Sequence, residues 1–247
     1  MKPNLVLLHG WGVNSRVWDH VLPPLRETFN VTTIDLPGYG SKTDQHPGED
    51  FQQIADAVLN EAPETAIWCG WSLGGMVAMA AAIKHPERIK RLALVCSTPK
   101  FMQEDQWAHG SSDSAMQNLS DQFEKDYSKA LARFFLLQLG TAPDARTRSR
   151  KLAQDVLQGP KPSWASLEQG LNLLRTTDLR ESLTNIHCPT EVIVGTEDRV
   201  IPAEAGRFIA QAIPNAQLHE VDAGHIPFLT SGDWFVDRIE QFAGVKI

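Results

Sequence analysis

The stretch IWCGWSLGGMVAMAAA, residues 67–82, places Ser72 between an apolar run and an alanine-rich segment. The apolar run predicts a strand, the alanine-rich segment predicts a helix, and the glycines between them predict a sharp turn. Gly70, Ser72 and Gly74 follow the pattern Gly-x-Ser-x-Gly, in which the serine hydroxyl projects beyond the carboxyl end of a strand. Leu73 opens the predicted helix, so its N–H can bind a developing oxyanion. We therefore interpret Ser72 as a nucleophile.

Elsewhere the chain alternates short apolar runs with helical patterns. The apolar runs predict strands at 5–10, 31–38, 65–72, 91–97, 190–198 and 216–225. The helical patterns between them cover 17–27, 50–61, 73–84, 203–212 and 233–242. Such alternation predicts an α/β fold with a mostly parallel, twisted sheet and helices on both faces.

The alternation stops between about 99 and 184 and then resumes. The interrupting segment has no convincing strand and has helical stretches at 121–138, 143–157 and 164–174. An all-helical block inside a strand–helix alternation predicts a cap inserted in the sheet domain. We expect a core formed by 1–99 and 184–247 and a helical cap formed by 100–183.

The composition argues against several classes of protein. The 247 residues are 42% hydrophobic and 21% charged, with a formal net charge of −7, so nonspecific nucleic-acid binding is not expected. No apolar run approaches the roughly 18 residues of a membrane span, and the N-terminal run is too short for a signal peptide. The three cysteines lie far apart and show no metal-ligand spacing. We expect a cytoplasmic protein with reduced thiols, no membrane contact and no metal.

A serine nucleophile needs a base, and His225 is the best-placed histidine. It lies in DAGHIPF, directly after the last predicted strand, where a loop can return it to the edge that carries Ser72. His85 and His187 lie at the opposite end of the sheet. His9 is closer, but directly after the first strand it is expected to brace the loop.

The acid that orients the histidine should come from another loop at the same edge of the sheet. Asp198, in VIVGTEDRVIP, follows an apolar strand and precedes His225 by 27 residues. Glu197 is the main alternative and Asp222 is also near. The chain order serine, acid, histidine is the order of the α/β-hydrolase fold.

A second oxyanion donor should come from the loop after an early strand. The sequence His9-Gly10-Trp11-Gly12 occupies that place, and we select the backbone N–H of Trp11. Trp11 and Trp71 also predict an aromatic surface beside the nucleophile that suits an apolar acyl chain, although both could be simple core residues.

The motifs HGWG, DLPGYGSK, GWSLGG, GTED and AGH occur in this order, and with them the chain resembles the α/β-hydrolase superfamily from end to end. A closer resemblance rests on LVLLHGWGVNSRVW, IDLPGYG, AIWCGWSLGGMVA, HPERIKRLALVCSTP, RFFLLQ and TTDLRESL. These segments are similar to the pimeloyl-[acyl-carrier protein] methyl ester esterase family of biotin synthesis. The resemblance implies hydrolysis of the methyl ester at the far end of a carrier-bound pimeloyl chain, with methanol as the second product and no cofactor.

Carried over by position, the resemblance assigns roles to individual residues. It implies a triad of Ser72, Asp198 and His225 and an oxyanion site at Trp11 and Leu73. It also implies that one cap segment contacts the substrate chain, namely Phe134, Phe135, Leu136, Leu137 and Gln138.

The charge of the cap agrees with an acidic partner. Residues 129–151 contain six lysines and arginines against the single acid Asp144, within a chain of net charge −7. Acyl-carrier proteins are strongly acidic, so a local basic patch would favour docking. The resemblance places the docking contacts at Lys129, Arg133, Arg146 and Arg150. A solvated basic helix face remains the simpler interpretation.

Two other functions stay open at this point. The chain could be a general short-chain carboxylesterase or a carbon–carbon bond hydrolase of the same fold, acting on small substrates. It could also be a non-catalytic sensor that uses the pocket to bind a small molecule, although the intact serine, aspartate and histidine argue against that. We expect a monomer in each case.

Overall fold

The computed structural model describes residues 1–245, which form a six-stranded sheet in the order β2-β1-β3-β4-β5-β6. Every neighbouring pair of strands is parallel. The strands are β1 (Asn4–Leu8), β2 (Asn30–Ile34), β3 (Ala66–Trp71), β4 (Ile89–Val95), β5 (Thr190–Gly195) and β6 (Ala216–Val221). The predicted α/β fold with a largely parallel sheet is confirmed.

The burial of the strands explains why their sequences are apolar runs rather than alternating patterns. Every residue of β3 and β5 is buried, because helices cover both faces of the sheet there. The edge strands β2 and β6 are mostly half-buried, and their sequences are accordingly more polar.

The α-helices of residues 1–245 are, in chain order, α1 (Leu22–Thr28), α2 (Phe51–Leu59), α3 (Leu73–Lys84), α4 (Asp113–Lys125), α5 (Tyr127–Leu139), α6 (Ala145–Leu157), α7 (Trp164–Thr176), α8 (Ala203–Ala212), α9 (Pro227–Thr230) and α10 (Gly232–Phe242). None of these helices has the length and hydropathy needed to cross a bilayer. Ten of the twelve residues of α3 are buried, so this helix lies in the middle of the core.

Two predicted helices differ from the observed ones. The predicted helix at 17–27 overlaps the end of a 3₁₀ turn (Ser15–Trp18) and most of α1, whose first turn holds two prolines. The pattern at 121–138 is split into α4 and α5 at Asp126. The Asp126 carboxylate accepts a hydrogen bond from the Lys129 N–H at 3.1 Å, so Asp126 caps a new helix where the periodicity suggests continuation.

The helices α4 to α7 follow one another between β4 and β5, in the segment that interrupts the strand–helix alternation. The division into a core of 1–99 and 184–247 and a cap of 100–183 stays a prediction. The last two residues of the predicted core, 246 and 247, lie outside the described residues. Because all six strands run in one direction, the loops after them meet at one edge of the sheet, next to this helical segment.

Candidate active site

Ser72 lies in a strained turn between β3 and α3. Its φ of 56° and ψ of −121° are outside the regions that non-glycine residues favour. The Ser72 N–H donates to the Val95 carbonyl at 2.9 Å, and the Ser72 carbonyl accepts from the Ser97 hydroxyl at 2.8 Å. These bonds to the end of β4 hold a conformation that lifts the hydroxyl beyond the sheet edge.

The glycines around Ser72 are required by close backbone approach. A Cβ added to Gly70 would lie 2.3 Å from the carbonyl oxygen of Gly74. A Cβ on Gly74 would lie 2.5 Å from the carbonyl oxygens of Leu8 and His9. The Gly-x-Ser-x-Gly pattern is therefore a steric requirement of the crossing between β1, β3 and α3.

His225 and Asp198 meet beside this turn. The Nδ1 atom of His225 lies 2.6 Å from the Oδ2 atom of Asp198, and the two side chains are 0% and 1% exposed. The other carboxylate oxygen of Asp198 accepts the N–H groups of Val200 at 2.8 Å and Ile201 at 3.0 Å. The carboxylate is thus fully hydrogen-bonded, and it fixes the imidazole with its Nε2 atom directed away.

Glu197, the alternative acid, is engaged elsewhere. Its side chain is exposed, and its carboxylate accepts a hydrogen bond from the Thr141 hydroxyl at the end of the α5 segment. The structure therefore pairs His225 with Asp198 and pairs Glu197 with the helical segment.

The Nε2 atom of His225 is buried and has no hydrogen-bond partner among residues 1–245. A buried polar atom without a partner is uncommon in proteins. In a triad this nitrogen takes the serine proton, and that hydrogen bond often forms only when substrate binds. The orphaned nitrogen is available for that task.

The backbone of His225 is held from two sides. Its N–H donates to the carbonyl of Gln138 at 2.7 Å, and its carbonyl accepts from the Trp71 indole Nε1 at 2.7 Å. Trp71 is 1% exposed and packs on the His225 ring at 5.4 Å between centroids. Trp71 therefore supports the histidine loop, and the acyl-chain surface expected at this residue stays a prediction.

Cys96 is a third group beside this pair. The Sγ atom of Cys96, a carboxylate oxygen of Asp198 and a ring nitrogen of His225 all lie within 4.8 Å of one another. Burial, and then the negative charge of Asp198, raise the pKa of the Cys96 thiol well above its usual value. The thiol stays protonated, and the Asp198 oxygens are already hydrogen-bonded, so this cluster is not suited to holding a metal ion.

The two candidate oxyanion donors come from the start of α3 and from the loop after β1, which approaches Ser72 so closely that a Cβ on Gly10 would lie 3.2 Å from the Ser72 Cβ. Leu73 is the first residue of α3, so its N–H has no acceptor within the helix. Trp11 lies in the loop after β1 and is 4% exposed. Its indole Nε1 donates to the Leu167 carbonyl on α7 at 2.9 Å, which ties this loop to the helical segment.

His9 has the bracing role that its position predicts. It is fully buried, its Nδ1–H donates to the Gly10 carbonyl at 2.8 Å, and its Nε2 accepts the Leu36 N–H at 3.0 Å. These two bonds require the neutral ring, and burial lowers the pKa of His9 accordingly. His9 therefore joins the loops after β1 and β2.

The five residues expected to contact a substrate chain face different environments on α5. Phe134 is 9% exposed and packs edge-on against Trp11 at 5.9 Å, and Gln138, one helical turn later, is 1% exposed. Phe135 is fully buried, whereas Leu136 and Leu137 are 36% and 45% exposed. The Oε1 atom of Gln138 is buried without a hydrogen-bond partner in the described chain. Phe134 and Gln138 thus share the helix face nearest the candidate site.

The four candidate docking cations are all exposed and divide between two helices. Lys129 and Arg133 lie on α5, where they line a surface cleft of about 420 Å³ together with Lys125. Lys129 also pairs with Asp126 at 3.0 Å. Arg146 and Arg150 lie one turn apart on α6.

Several residues at the site give no signal in a single sequence. Ser97 and Thr141 act through hydrogen bonds to a backbone carbonyl and to a remote carboxylate, and many residue types could make them. Tyr127 is a further case, because its hydroxyl donates to the Gly12 carbonyl at 3.0 Å.

Comparison with known proteins agrees with this geometry. The family model described as alpha/beta hydrolase fold matches residues 3–231. The pimeloyl-[acyl-carrier protein] methyl ester esterase of Vibrio campbellii is 39% identical over 98% of this chain and 94% of its own length. The protein of the same name from Nitrosomonas europaea is 37% identical over 95% of this chain and 93% of its own length.

Solved structures give the same fold. The enol-lactonase from Burkholderia xenovorans LB400 has a TM-score of 0.84 and 25% identity over 99% of this chain and 92% of its own. An esterase from Exiguobacterium antarcticum has a TM-score of 0.86 and 22% identity over 97% and 91%. The chain belongs to the alpha/beta hydrolase family and, within it, to the family of proteins named pimeloyl-[acyl-carrier protein] methyl ester esterase.

Proposed function

We propose that this protein hydrolyses the methyl ester of pimeloyl-[acyl-carrier protein] methyl ester to pimeloyl-[acyl-carrier protein] and methanol in biotin synthesis. The observation that carries the chemistry is the buried 2.6 Å hydrogen bond between His225 and Asp198, next to Ser72 in its strained turn. The names of relatives that match nearly the whole chain support the substrate.

The chemistry is acyl transfer through Ser72. Its Oγ atom attacks the ester carbonyl while Nε2 of His225 takes the proton, and the N–H groups of Trp11 and Leu73 bind the oxyanion. Collapse of the tetrahedral intermediate releases methanol, which receives the proton from His225. Water then attacks the acyl-enzyme by the same route and frees the carboxylate. Asp198 holds the imidazole in the correct tautomer and stabilises its protonated form.

Selectivity is the harder problem, because the substrate carries a methyl ester and a thioester. We infer that the acidic carrier docks on Lys129 and Arg133 of α5 and on Arg146 and Arg150 of α6, which fixes how far the acyl chain reaches. Complementary charge favours such an encounter, since these cations are exposed on a chain of net charge −7. Phe134 and Gln138 would then meet the chain beside Ser72.

The proposal extends to the working state of the protein. We propose that it acts as a monomer in the cytoplasm, where its three free cysteines would stay reduced. Small esters would also be substrates, since the chemistry at Ser72 does not depend on the carrier. Light scattering on the purified protein tests the monomer.

Mass spectrometry of methyl-pimeloyl carrier protein incubated with the enzyme tests the reaction. We expect a loss of about 14 daltons, which is the mass of a CH₂ group, and no loss of the acyl chain, because the ester and not the thioester is cleaved. The Ser72→Ala variant should leave the mass unchanged. Release of the acyl chain from the carrier would contradict the proposed selectivity.

Charge reversal separates this function from that of a general carboxylesterase or a carbon–carbon bond hydrolase. The double variant Arg133→Glu, Arg150→Glu should lower kcat/KM on the carrier-bound ester about 10-fold or more while sparing p-nitrophenyl esters. Lys90→Glu is the matched control, since Lys90 is an exposed cation near the start of β4, away from the edge that carries Ser72. Equal losses on both substrates would count against docking.

A further inference from the structure

One end of α5 contacts the loop that carries Trp11. The Tyr127 hydroxyl donates to the Gly12 carbonyl at 3.0 Å, and Tyr127 is 2% exposed. Burial raises the pKa of Tyr127 above its usual value, so the hydroxyl remains a donor. Gly12 has a φ of 76°, which a residue with a side chain rarely adopts. The bond therefore holds an unusual turn beside the proposed oxyanion donor.

The other end of α5 contacts both loops that carry the histidine and its acid. The Gln138 carbonyl accepts the His225 N–H at 2.7 Å, and a Cβ on Gly224 would lie 2.3 Å from the same oxygen. Three residues beyond Gln138, the Thr141 hydroxyl donates to the carboxylate of Glu197, the neighbour of Asp198. The helix end is thus attached to the loops after β5 and β6.

A single stiff element joins these contacts. The 13 residues of α5 span about 20 Å at 1.5 Å per residue, enough to bridge the strand-end loops. A helix transmits a displacement of one end to the other, because its own hydrogen bonds resist bending. Loss of either attachment should therefore loosen the loops at both ends.

We propose that α5 is a brace that positions the catalytic loops from both ends, with Tyr127 and Thr141 as its positioning residues. Neither side chain touches the reacting atoms: Tyr127 acts through Gly12 on the Trp11 loop, and Thr141 acts through Glu197 and the end of α5 on His225. This proposal rests on the proposed function only where a loss of esterase activity is the readout. The attachment of α5 to the catalytic loops can be measured without substrate.

The test compares Tyr127→Phe and Thr141→Val, singly and together, on a small p-nitrophenyl ester. Each single variant should lower kcat about 10-fold with little change in KM, since misplaced catalytic groups slow the chemical step without weakening binding. The double variant should lose less than the product of the two single losses, because the first loss already frees the helix. Thr141→Ser should restore kcat, since it keeps the hydroxyl.

Thr28→Val is the matched control. Thr28 makes the same kind of hydrogen bond to a glutamate, Glu240, between α1 and α10. Its removal should leave kcat unchanged. A double-variant loss equal to the product, a change confined to KM, or a kcat loss in Thr28→Val as large as in Thr141→Val would overturn the brace.

Amide hydrogen exchange of the His225 N–H provides a readout that needs no substrate. We expect faster exchange in both Thr141→Val and Tyr127→Phe, the latter from the far end of α5, and unchanged exchange in Thr28→Val. Should Tyr127→Phe fail to fold, Thr141→Val alone decides the outcome. An unchanged exchange rate of the His225 N–H in Thr141→Val would refute the brace. An inactive wild-type protein whose variants show the expected exchange pattern would refute only the proposed esterase function.

Discussion

The neighbouring strands β5 and β6 position two carboxylate–histidine pairs. One pair lies in the loops just beyond the carboxyl ends of the strands, and the other lies within the strands. Asp198 and His225 form the first pair, and Glu191 and His219 form the second, each with a nearest nitrogen–oxygen distance of 2.6 Å. Both carboxylates are 1% exposed. The pairs differ in what else surrounds the carboxylate.

Asp198 receives two backbone N–H groups as well as its histidine, because the chain turns around it after β5. Glu191 lies inside β5, where the backbone N–H groups already serve the sheet. The nitrogen-bearing side chains beside it are those of His219 and Arg238, the latter at 2.9 Å, and neither carboxylate oxygen has a partner of hydrogen-bond geometry among residues 1–245. Burial accordingly raises the pKa of Glu191 to about 7.

A close carboxylate–histidine distance does not by itself make a catalytic pair. A charged carboxylate remains ionised in a buried site only if donors surround it, and loops at strand ends supply backbone donors that strands cannot. The first pair also has a nucleophile and an orphaned Nε2 atom beside it. We therefore propose a catalytic role for the pair at the carboxyl edge and a structural role for the pair within the strands.

Matched amide substitutions provide the strongest test of this assignment. Asp198→Asn should lower kcat on small esters about 10⁴-fold, because the imidazole loses its tautomer and the stabilisation of its cation. Glu191→Gln, the same chemical change at the other pair, should leave kcat within about 3-fold. Steady-state kinetics of the two variants decides the matter, and similar losses in both would contradict it.

The second pair should contribute to the pH dependence of stability. Because the pKa of Glu191 in the folded protein, about 7, exceeds its ordinary value of 4.5, its contribution to stability is fully present below about pH 4.5 and is lost as the pH rises through 7. Burial lowers the pKa of His219, which opposes this trend at acid pH, so the comparison must be made against a variant.

Glu191→Gln isolates the contribution of Glu191. The variant should gain stability relative to the wild type between pH 5 and pH 8, by at most about 3 kcal/mol, since glutamine resembles the protonated acid at every pH. Urea unfolding at several pH values measures this difference. A relative stability that falls with rising pH would show that Arg238 keeps Glu191 ionised.

The loss of kcat should be smaller than in Asp198→Asn when His225 is displaced while Asp198 is left unchanged. Gly224→Ala would place a Cβ 2.3 Å from the Gln138 carbonyl oxygen and should shift His225. We expect kcat to fall about 100-fold with the fold retained. Gly232→Ala is the control, because its nearest neighbour beyond the local chain is 3.9 Å away. Equal kinetics for the two variants would show that the His225 loop tolerates displacement.

Much of the fold could be predicted because a parallel sheet covered on both faces leaves apolar runs, and β3 and β5 are such runs. The candidate nucleophile could be found because steric crowding requires glycine at 70 and 74. Position in the sequence favours Asp198 but leaves Glu197 open as the acid, and the structure pairs Asp198 with His225. The catalytic roles of these residues remain proposals.

The remainder depends on three-dimensional contacts that leave no pattern. The break at Asp126 divides a continuous helical periodicity and sets where α5 begins. For Trp71 the sequence leaves open a substrate-facing residue or a core residue, and the bond from its indole N–H to the His225 carbonyl has no sequence signal. Glu191 stands in the strand sequence TEVIVG, and only the approach of α10 reveals Arg238 as its partner. Such contacts arise between residues far apart in the chain.

The most direct test of the catalytic assignment is covalent labelling by a fluorophosphonate, followed by intact mass and peptide mapping. We expect one adduct, on Ser72, formed rapidly by the wild type and by Glu191→Gln but very slowly by Asp198→Asn. Absence of an adduct on Ser72, or equal labelling rates in the two variants, would contradict the assignment of the serine, histidine and aspartate to one reacting unit.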